Sequence, residues 1–229
     1  MNLQHRSYQL ELLDQPDIPF ADIKRNMEEL DFINTWLGGH AITLAGFKKL
    51  VNRSQPVSIC EIGCGGGDNL IAIRNWCRRQ GIKATFTGVD MNPFCIDVAK
   101  QKLPASDARF IVSDYKFVTF DEQPDIIFSS LFCHHFAEPE LTTQLQWMQS
   151  NARLGFFIND LHRHPLAYYS IKWLTSLFSK SYLVKNDAPL SVARGLTKKE
   201  WRQLIASAGI DAFSLQWKWA FRWLIVVEK

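Results

Sequence analysis

The stretch VSICEIGCGGGD, residues 57–68, contains the features that decide the fold of this chain. Its first half is a short apolar run with the length and composition of a buried strand. Its second half is rich in glycine, with Gly63 followed by three consecutive glycines at residues 65–67, and a helical pattern begins after it. A glycine turn between a strand and a helix lets a ligand approach the backbone closely. The stretch therefore predicts a strand–turn–helix unit with a binding site at its turn.

The segments that follow this unit alternate between strands and helices. Further strands are predicted at residues 84–90, 108–112, 125–130 and 154–159, with helices at 69–80, 93–102 and 141–151. Alternation at this spacing indicates parallel βαβ units with right-handed crossovers. Two last strands, at 211–217 and 220–227, are separated by only two residues, which requires an antiparallel pair. We therefore expect an α/β fold: a doubly wound, mostly parallel seven-stranded sheet that ends in an antiparallel C-terminal hairpin.

Two helical regions lie outside this alternation. Residues 1–50 have apolar side chains at helical spacing, interrupted by Gly38-Gly39. Residues 161–196 contain a predicted helix at 165–178 that is rich in aromatic side chains. We expect residues 1–50 to form an N-terminal helical lid. The main α/β domain then spans 51–229 and carries a helical lid insertion at 161–196.

Composition excludes several classes of protein. The net charge of +3, without a stripe of Lys and Arg, argues against nucleic acid as a partner. No apolar run approaches the length of a membrane span, and the first 13 residues lack the apolar region of a signal peptide. The cysteine count is odd and the cysteines are not closely paired, which indicates reduced thiols in a cytoplasmic protein. They are Cys60, Cys64, Cys77, Cys95 and Cys133. Monomer and homodimer both remain open.

The charged residues around the glycine turn indicate which ligand it binds. Asp68 stands where the dinucleotide-binding fingerprint requires its third glycine, and Glu61 precedes the turn. Two carboxylates would repel a pyrophosphate but would attract a cationic group. Asp90, at the end of the second strand, is placed to accept hydrogen bonds from ribose hydroxyls. Enzymes that use NAD have an acidic residue there too, so Asp90 alone does not discriminate, and Asp68 is the residue that disfavours NAD.

Residues 57–160 resemble the core of the class I S-adenosylmethionine-dependent methyltransferases. Residues 57–67 are similar to the first motif of that family, E/D-x-G-x-G-x-G, and match it at every glycine. Residues 88–90 resemble the second motif, 112–115 the third, and 125–130 the fourth strand. The four motifs occur in the order and at the spacing of the family. The terminal strand pair is also similar to the end of that family's sheet.

The resemblance implies that the chain is a methyltransferase of class EC 2.1.1. Its cofactor would be S-adenosylmethionine, and S-adenosylhomocysteine would be the product. In the family, an acidic residue at the position of Asp114 contacts the adenine amino group and the next residue packs against the ring. The cofactor contacts that carry over are Glu61, Gly63, Cys64, Gly65, Asp68, Asp90, Met91, Asp114, Tyr115 and Ser130.

Two histidines follow the fourth strand and are candidates for catalysis. A histidine is the natural base for a phenol or another acidic hydroxyl near neutral pH. Neighbouring side chains in an extended loop cannot both point into one pocket, and of His134 and His135 we favour His134. A structural role at a helix start remains the alternative for both. No spacing such as His-Glu-x-x-His or paired Cys-x-x-Cys is present, so the sequence predicts no metal.

The substrate contacts are predicted from position and aromatic character. Residues 159–164 follow the fifth strand, and ligands of open α/β sheets bind beyond the carboxyl ends of the strands. The predicted substrate residues are Asp160, His162, Arg163, Trp36 and Tyr168. The aromatic insertion favours a flat or lipophilic acceptor, and in this family such additions choose the substrate.

These observations lead to one principal function and to alternatives. The principal prediction is methyl transfer to a small molecule, at a phenolic or other hydroxyl oxygen of a secondary metabolite. The alternatives are a protein that binds S-adenosylmethionine without turnover, and a methyltransferase that acts on carbon, on nitrogen or on a protein side chain.

Overall fold

A single seven-stranded sheet organises the part of the chain that the structure describes. The computed structural model describes residues 2–15 and 17–229. The strands are β1 (Val57–Ile62), β2 (Ala84–Asp90), β3 (Ala108–Val112), β4 (Ile126–Ser130), β5 (Gly155–Leu161), β6 (Ser214–Lys218) and β7 (Arg222–Glu228). Their order across the sheet is β3-β2-β1-β4-β5-β7-β6. The order reverses beside β1, and in open α/β sheets the ligand site lies at such a reversal.

Strand directions confirm the predicted doubly wound sheet. β1 pairs in parallel with β2 and β4, and β4 pairs in parallel with β5. β7 runs antiparallel to both of its neighbours, β5 and β6. The connection between the last two strands differs from the prediction, because residues 219–221 form the turn and Lys218 pairs with Arg222. β6 begins three residues later than the sequence predicted, and β7 begins two residues later.

Eight helices are assigned among the described residues. They are α1 (Phe20–Trp36), α2 (Gly39–Leu50), α3 (Asp68–Gln80), α4 (Pro93–Lys102), α5 (Glu138–Asn151), α6 (Pro165–Phe178), α7 (Tyr182–Arg194) and α8 (Lys198–Ser207). Local sequence explains several of their ends. Thr197 caps α8 through the reciprocal bonds of a capping box with Glu200. Gly81 ends α3 in the left-handed conformation, with φ of 70°.

Helix α2, which lies within the predicted N-terminal lid, packs against the sheet. Ile42, Phe47 and Leu50 are buried in one cluster with residues of the sheet, among them Phe157 and Leu224. Burial of such side chains contributes roughly 1.5–3 kcal/mol each, so α2 is a layer of the α/β domain. Of the predicted lid, only the chain up to about α1 borders the cavity described below. The helical period was visible in the sequence, but the surface that α2 covers was not.

The insertion between β5 and α8 consists of two helices, α6 and α7. The bounds of α6 match the predicted helix, whereas α7 was not individually predicted. Pro189 lies inside α7, and proline normally disfavours a helix interior. Leu183, Val184 and Leu190 of α7 are buried, and this packing outweighs the poor local propensity. None of the helices in residues 2–15 and 17–229 is long and apolar enough to cross a membrane.

Candidate functional site

A large cavity lies at the carboxyl ends of the parallel strands. Its volume is about 1370 Å³, above the roughly 300–1,000 Å³ that is usual for a single small-molecule site. All ten residues predicted to contact the cofactor line it, and so do both predicted catalytic histidines. The parallel strands end at this edge and bring together motifs that are far apart in the chain.

The glycine turn between β1 and α3 forms one wall of this cavity. Gly63, Gly65 and Gly67 have positive φ values of 66°, 49° and 75°. A Cβ on Gly63 would lie 2.1 Å from the ring of Phe132, whereas a Cβ on Gly65 would meet nothing nearer than 3.6 Å. Only glycine adopts this backbone conformation without strain. The space in front of Gly65 is therefore open for a ligand to approach the backbone.

Gly63→Ala is expected to lower the affinity for S-adenosylhomocysteine by at least about tenfold. The added methyl group must displace Phe132 or the turn itself, and the residue would also be held at φ of 66°. Isothermal titration calorimetry of the purified variant measures the effect. Gly81→Ala is the matched control, because Gly81 has a similar φ of 70° and its Cβ would meet nothing within 4 Å. Equal affinity losses in both variants would contradict this explanation.

Asp90, at the end of β2, is hydrogen-bonded to the glycine turn and also lines the cavity. Its Oδ2 accepts a hydrogen bond from the backbone N–H of Gly65 at 2.9 Å, and its Oδ1 accepts one from Asn92 at 2.9 Å. Burial raises the pKa of Asp90, although these backbone donors oppose the shift. A carboxylate held by two amides and facing a cavity retains lone pairs for further donors. The residue thus fits the predicted role of binding two ribose hydroxyls.

A relay of side chains leads from α1 to Glu61. Asp31 Oδ1 lies 2.9 Å from His40 Nε2, and His40 Nδ1 lies 2.9 Å from Asn69 Oδ1. Asn69 in turn donates from Nδ2 to Glu61 Oε1 at 3.0 Å. The other oxygen of Glu61 is buried and has no partner among the described atoms. A buried carboxylate oxygen without a donor fits a cationic ligand such as an ammonium group.

Three further cofactor candidates, Asp68, Tyr115 and Met91, differ in their contacts and in their exposure. Lys102 Nζ lies 2.6 Å from Asp68 Oδ1, so this carboxylate already has a cationic partner. Burial raises the pKa of Asp68 even so, and Lys102 opposes the rise. Tyr115 is buried and packs edge-on against Phe132 and Trp147. Met91, by contrast, is 68% exposed at the rim of the cavity.

The two histidines after β4 lie on a short 3-10 turn, residues 133–135, rather than on an extended loop. The turn places their rings side by side, with centroids 4.4 Å apart. Arg194 holds the turn, because its guanidinium donates to the backbone oxygens of His134 and His135 at 3.1 and 2.7 Å. Both histidines therefore face the cavity, although the sequence favoured only one of them.

Carboxylates surround both imidazoles. Asp160 Oδ1 lies 2.7 Å from Nδ1 of His134, and Glu11 Oε1 lies 3.6 Å from Nε2. For His135, Asp14 Oδ2 lies 3.4 Å from Nδ1 and Glu11 Oε2 lies 3.9 Å from Nε2. Burial by itself would lower the pKa of His135, but Asp14 and Glu11 outweigh it and raise the pKa. Glu11 and Asp14 are functional candidates that the sequence did not reveal.

None of the five predicted substrate residues lines the cavity. Asp160 is fully buried beneath His134, and Arg163 is bound to Glu200 and to the backbone oxygen of Gly195 at 2.7 Å each. Trp36 is 74% exposed on the outer face of α1. The structure therefore does not bring these three residues to the cavity, because neighbouring chain segments occupy the polar atoms of Asp160 and Arg163 and because Trp36 faces outward.

His162 and Tyr168 also lie outside the cavity. The ring of His162 packs against Trp223 with centroids 4.8 Å apart, and burial, followed by His164 and Arg163, lowers its pKa to about 4. Tyr168 is buried in a cluster with Ala167 and residues of α7. The structure therefore does not bring these two residues to the cavity. They were predicted from their proximity to β5 in sequence and from aromatic character, and neither specifies the side that a side chain faces.

The part of the cavity beyond the cofactor residues is mostly apolar. Its lining comes from the N-terminal segment, α1, α6, α7 and the β6–β7 turn. These side chains include Leu10, Leu13, Ile18, Ile23, Met27, Leu30, Ile33, Leu37, Ile171, Leu174, Val192, Trp219 and Phe221. Helical periodicity marked many of them as inward-facing, but it could not distinguish a packed core from a cavity wall.

Two sequence comparisons bear on this site. A family model described as a methyltransferase domain matches residues 59–155, which run from β1 to the start of β5. A sequence search of the curated proteins found no match.

Solved structures give a broader comparison. The plantazolicin methyltransferase BpumL, in complex with S-adenosylhomocysteine, is 25% identical with a TM-score of 0.63; the match covers 89% of this chain and 75% of BpumL. Human N-acetylserotonin methyltransferase, in complex with S-adenosylmethionine, is 18% identical with a TM-score of 0.62, over 92% of this chain and 56% of the human one.

A candidate O-methyltransferase from Nostoc punctiforme is 17% identical, with a TM-score of 0.59. The match covers 88% of this chain but only 59% of the Nostoc protein, so this chain spans less than two thirds of that relative. The two relatives that are under 25% identical share the fold with this chain. BpumL has a similar fold, and its structure contains bound S-adenosylhomocysteine, the product that S-adenosylmethionine leaves after methyl transfer.

Proposed function

We propose that this chain is a class I S-adenosylmethionine-dependent methyltransferase and that it methylates a hydroxyl oxygen of a lipophilic small molecule. The observation that carries the proposal is the lining of the cavity. It combines the ten predicted cofactor residues with many apolar side chains and with the polar cluster of Glu11, His134 and His135.

The size and lining of the cavity support a small acceptor. About 1370 Å³ provides room for a cofactor and a second molecule together. Apolar walls favour an aromatic or lipophilic acceptor, since burial of apolar surface contributes roughly 25 cal/mol per Å². Two of the structural relatives are named as methyltransferases of N-acetylserotonin and of plantazolicin. All five cysteines are free and buried, and free thiols are compatible with the reducing environment of the cytoplasm, where we propose that the enzyme acts.

The predicted cofactor residues would bind S-adenosylmethionine and orient its methyl group. When bound, S-adenosylmethionine supplies an electron-poor methyl group on a sulfonium that leaves as a neutral thioether. Asp90 would hold the ribose hydroxyls, and the unpartnered Oε2 of Glu61 would accept from the ammonium group. The relay through Asn69 and His40 keeps Glu61 in place. This chain therefore contributes alignment, which is a large part of catalysis when two reactants must meet.

The acceptor side of the site activates the hydroxyl. An oxygen that loses its proton as it attacks is a far better nucleophile, and a positioned side chain that takes the proton contributes typically 10²–10⁴-fold. His135 has 23% of its side chain exposed, compared with 2% for His134, and it is the more accessible of the two. We assign the uptake of the hydroxyl proton to the cluster of Glu11, His134 and His135.

His135→Ala is expected to lower kcat for methylation of a hydroxyl acceptor by about 100-fold. The KM for S-adenosylmethionine should change less than about threefold, because the cofactor contacts are not altered. The measurement is release of S-adenosylhomocysteine with a panel of phenols and aliphatic alcohols of increasing apolar size. His5→Ala serves as the control, since His5 is an exposed histidine outside the cavity.

Three outcomes would contradict the proposal. Binding of the cofactor without turnover on any acceptor would indicate a protein that binds S-adenosylmethionine without catalysis. Turnover on amines, activated carbons or protein side chains, with none on hydroxyls, would place the methyl group on another atom. An unchanged kcat in the His135→Ala variant would remove the histidine cluster from the reaction.

A further inference from the structure

We propose that Glu11, His134 and His135 form a binding site for a divalent transition-metal ion of the zinc class. That these three residues bind an ion is inferred from their geometry alone. That the ion takes part in catalysis rests on the proposed function, because the ion would activate the acceptor hydroxyl at the same cluster.

The three ligand atoms have the spacing of a metal site before any ion is bound. Glu11 Oε1 lies 3.6 Å from His134 Nε2, and Glu11 Oε2 lies 3.9 Å from His135 Nε2. The potential ligand atoms all lie within 4.8 Å of one another. Tetrahedral zinc with bonds of about 2.05 Å would hold its ligand atoms about 3.4 Å apart. Closing the observed distances requires only small side-chain shifts.

The outer contacts of these ligands are those of a metal site. A histidine that binds a metal through one nitrogen usually gives its other N–H to a carboxylate or carbonyl, which fixes the ring. Asp160 lies 2.7 Å from Nδ1 of His134, and Asp14 lies 3.4 Å from Nδ1 of His135. Both Nε2 atoms are thereby directed toward Glu11. Glu11 itself accepts a hydrogen bond from Ser191 Oγ at 2.7 Å.

The charges around the cluster favour a cation. Glu11, Asp14 and Asp160 supply three carboxylates within 4 Å of the two imidazoles. Two buried arginines lie beside the cluster: Arg6 Nη2 donates to the backbone oxygen of His134 at 2.9 Å, and Arg194 Nη1 lies 3.9 Å from Asp14 Oδ2. The guanidinium of Arg194 is occupied by backbone oxygens, including that of Gln9 at 2.6 Å. A divalent ion would compensate the remaining negative charge.

The cluster is held in place independently of any ion. Residues 12–14 form a 3-10 turn directly after Glu11, and Asp187 of α7 accepts hydrogen bonds from the backbone N–H groups of Leu12 and Leu13 at 2.8 and 3.0 Å. The 3-10 turn of the histidines is clamped by Arg194. Two anchored turns therefore bring the ligands together, which reduces the ordering cost of binding the ion.

The position of the cluster suits a catalytic ion. Three protein ligands leave a coordination position open, which is the pattern of catalytic rather than structural zinc sites. The three ligands line the cavity, so the open position faces the space for the acceptor. A hydroxyl oxygen bound there would lose its proton more readily. With the ion bound, the two imidazoles and Glu11 would act as its ligands in place of the direct proton uptake proposed above, and the proton would pass to solvent through the cavity.

The sequence predicted no metal because it lacks a local ligand motif. The two histidines are adjacent, but the third ligand comes from the N-terminal segment and meets them only in the folded chain. Spacing rules detect ligands on one helix or one loop, and they cannot detect a site assembled across two anchored turns.

The test uses Co²⁺ as a spectroscopic probe and Zn²⁺ in titration calorimetry, on the full chain freed of metal with EDTA. We expect one ion per chain, visible absorption bands of low-coordinate Co²⁺, and displacement of the bands by Zn²⁺. Glu11→Gln and His135→Ala should each weaken Zn²⁺ binding at least about 100-fold, whereas His5→Ala should leave it unchanged. Calorimetric binding of S-adenosylhomocysteine shows that each variant is folded.

The outcomes separate this inference from the proposed function. Absence of Co²⁺ bands, or Zn²⁺ affinity that is the same in Glu11→Gln and in the unaltered protein, would overturn the metal site even if the enzyme methylates hydroxyls. Stoichiometric Zn²⁺ binding that depends on both residues would support the site even if no hydroxyl acceptor is turned over. Turnover that is lost with EDTA and restored by Zn²⁺ would support the catalytic use of the ion.

Discussion

Asp90→Ala is expected to weaken binding of S-adenosylhomocysteine by at least about 100-fold. Asp90 holds the glycine turn through Gly65 and the start of α4 through Asn92, and its carboxylate faces the ligand space. Charge-assisted hydrogen bonds to two ribose hydroxyls contribute roughly 1.5–3 kcal/mol each. The loss of both corresponds to at least about two powers of ten in the dissociation constant. Isothermal titration calorimetry gives this constant directly.

Two further variants show which role of Asp90 dominates. Asp90→Asn keeps the shape and one acceptor oxygen, so it should lose less affinity than the alanine variant. Asp121→Ala removes an exposed aspartate and should bind as the unaltered protein does. NADH should not bind to any of them. An affinity in Asp90→Ala within threefold of the unaltered protein would contradict the assignment of the ribose site.

Asp160→Ala is expected to lower the free energy of unfolding by about 3–5 kcal/mol. Asp160 is fully buried and accepts hydrogen bonds from the backbone of Leu161 at 2.7 Å and of His134 at 3.2 Å, besides its contact with the ring of His134. Arg222 is buried nearby, where burial lowers its pKa to about 10 and the charge of Asp160 opposes the shift. Removal of the carboxylate takes away the acceptor of these two backbone donors and the negative charge that favours the charged form of Arg222.

Urea unfolding in the presence of EDTA measures this loss without any contribution from a bound ion. Asp211→Ala is the matched control, because Asp211 is exposed, and it should change the stability by less than about 0.5 kcal/mol. If Asp160 instead contacted the substrate directly, the variant would retain its stability and show only a raised KM for the acceptor. That result would contradict the structural role assigned here.

The cofactor half of the site could be predicted from sequence because its signals are local. Residues 57–68 contain the strand, the turn and the helix start in one continuous stretch, and glycine is required there by positive φ at Gly63 and Gly65. Asp90 is the last residue of its strand. Parallel strands place their carboxyl ends at one edge, so residues that end strands meet whatever the loops between them do. The ten predicted contacts therefore all reached the cavity.

The acceptor half could not be predicted in the same way. Glu11 meets the two histidines only because α7 anchors the N-terminal segment through Asp187. Trp36 and Tyr168 have the aromatic character of substrate contacts, but one faces outward and the other is buried within the insertion. Residue type does not specify which face of a helix is covered, and this depends on the elements that pack against it.

The sequence by itself determined the mostly parallel sheet with its antiparallel last pair, the glycine turn and the residues predicted to surround the cofactor. These depend on backbone conformation and on spacing along the chain, which a sequence contains directly. Only the tertiary structure decided that α2 packs against the sheet, that Asp160 contacts Nδ1 of His134, and that Glu11 lies beside the two histidines. Those relations arise between segments far apart in the chain, where packing and not local preference selects the neighbours.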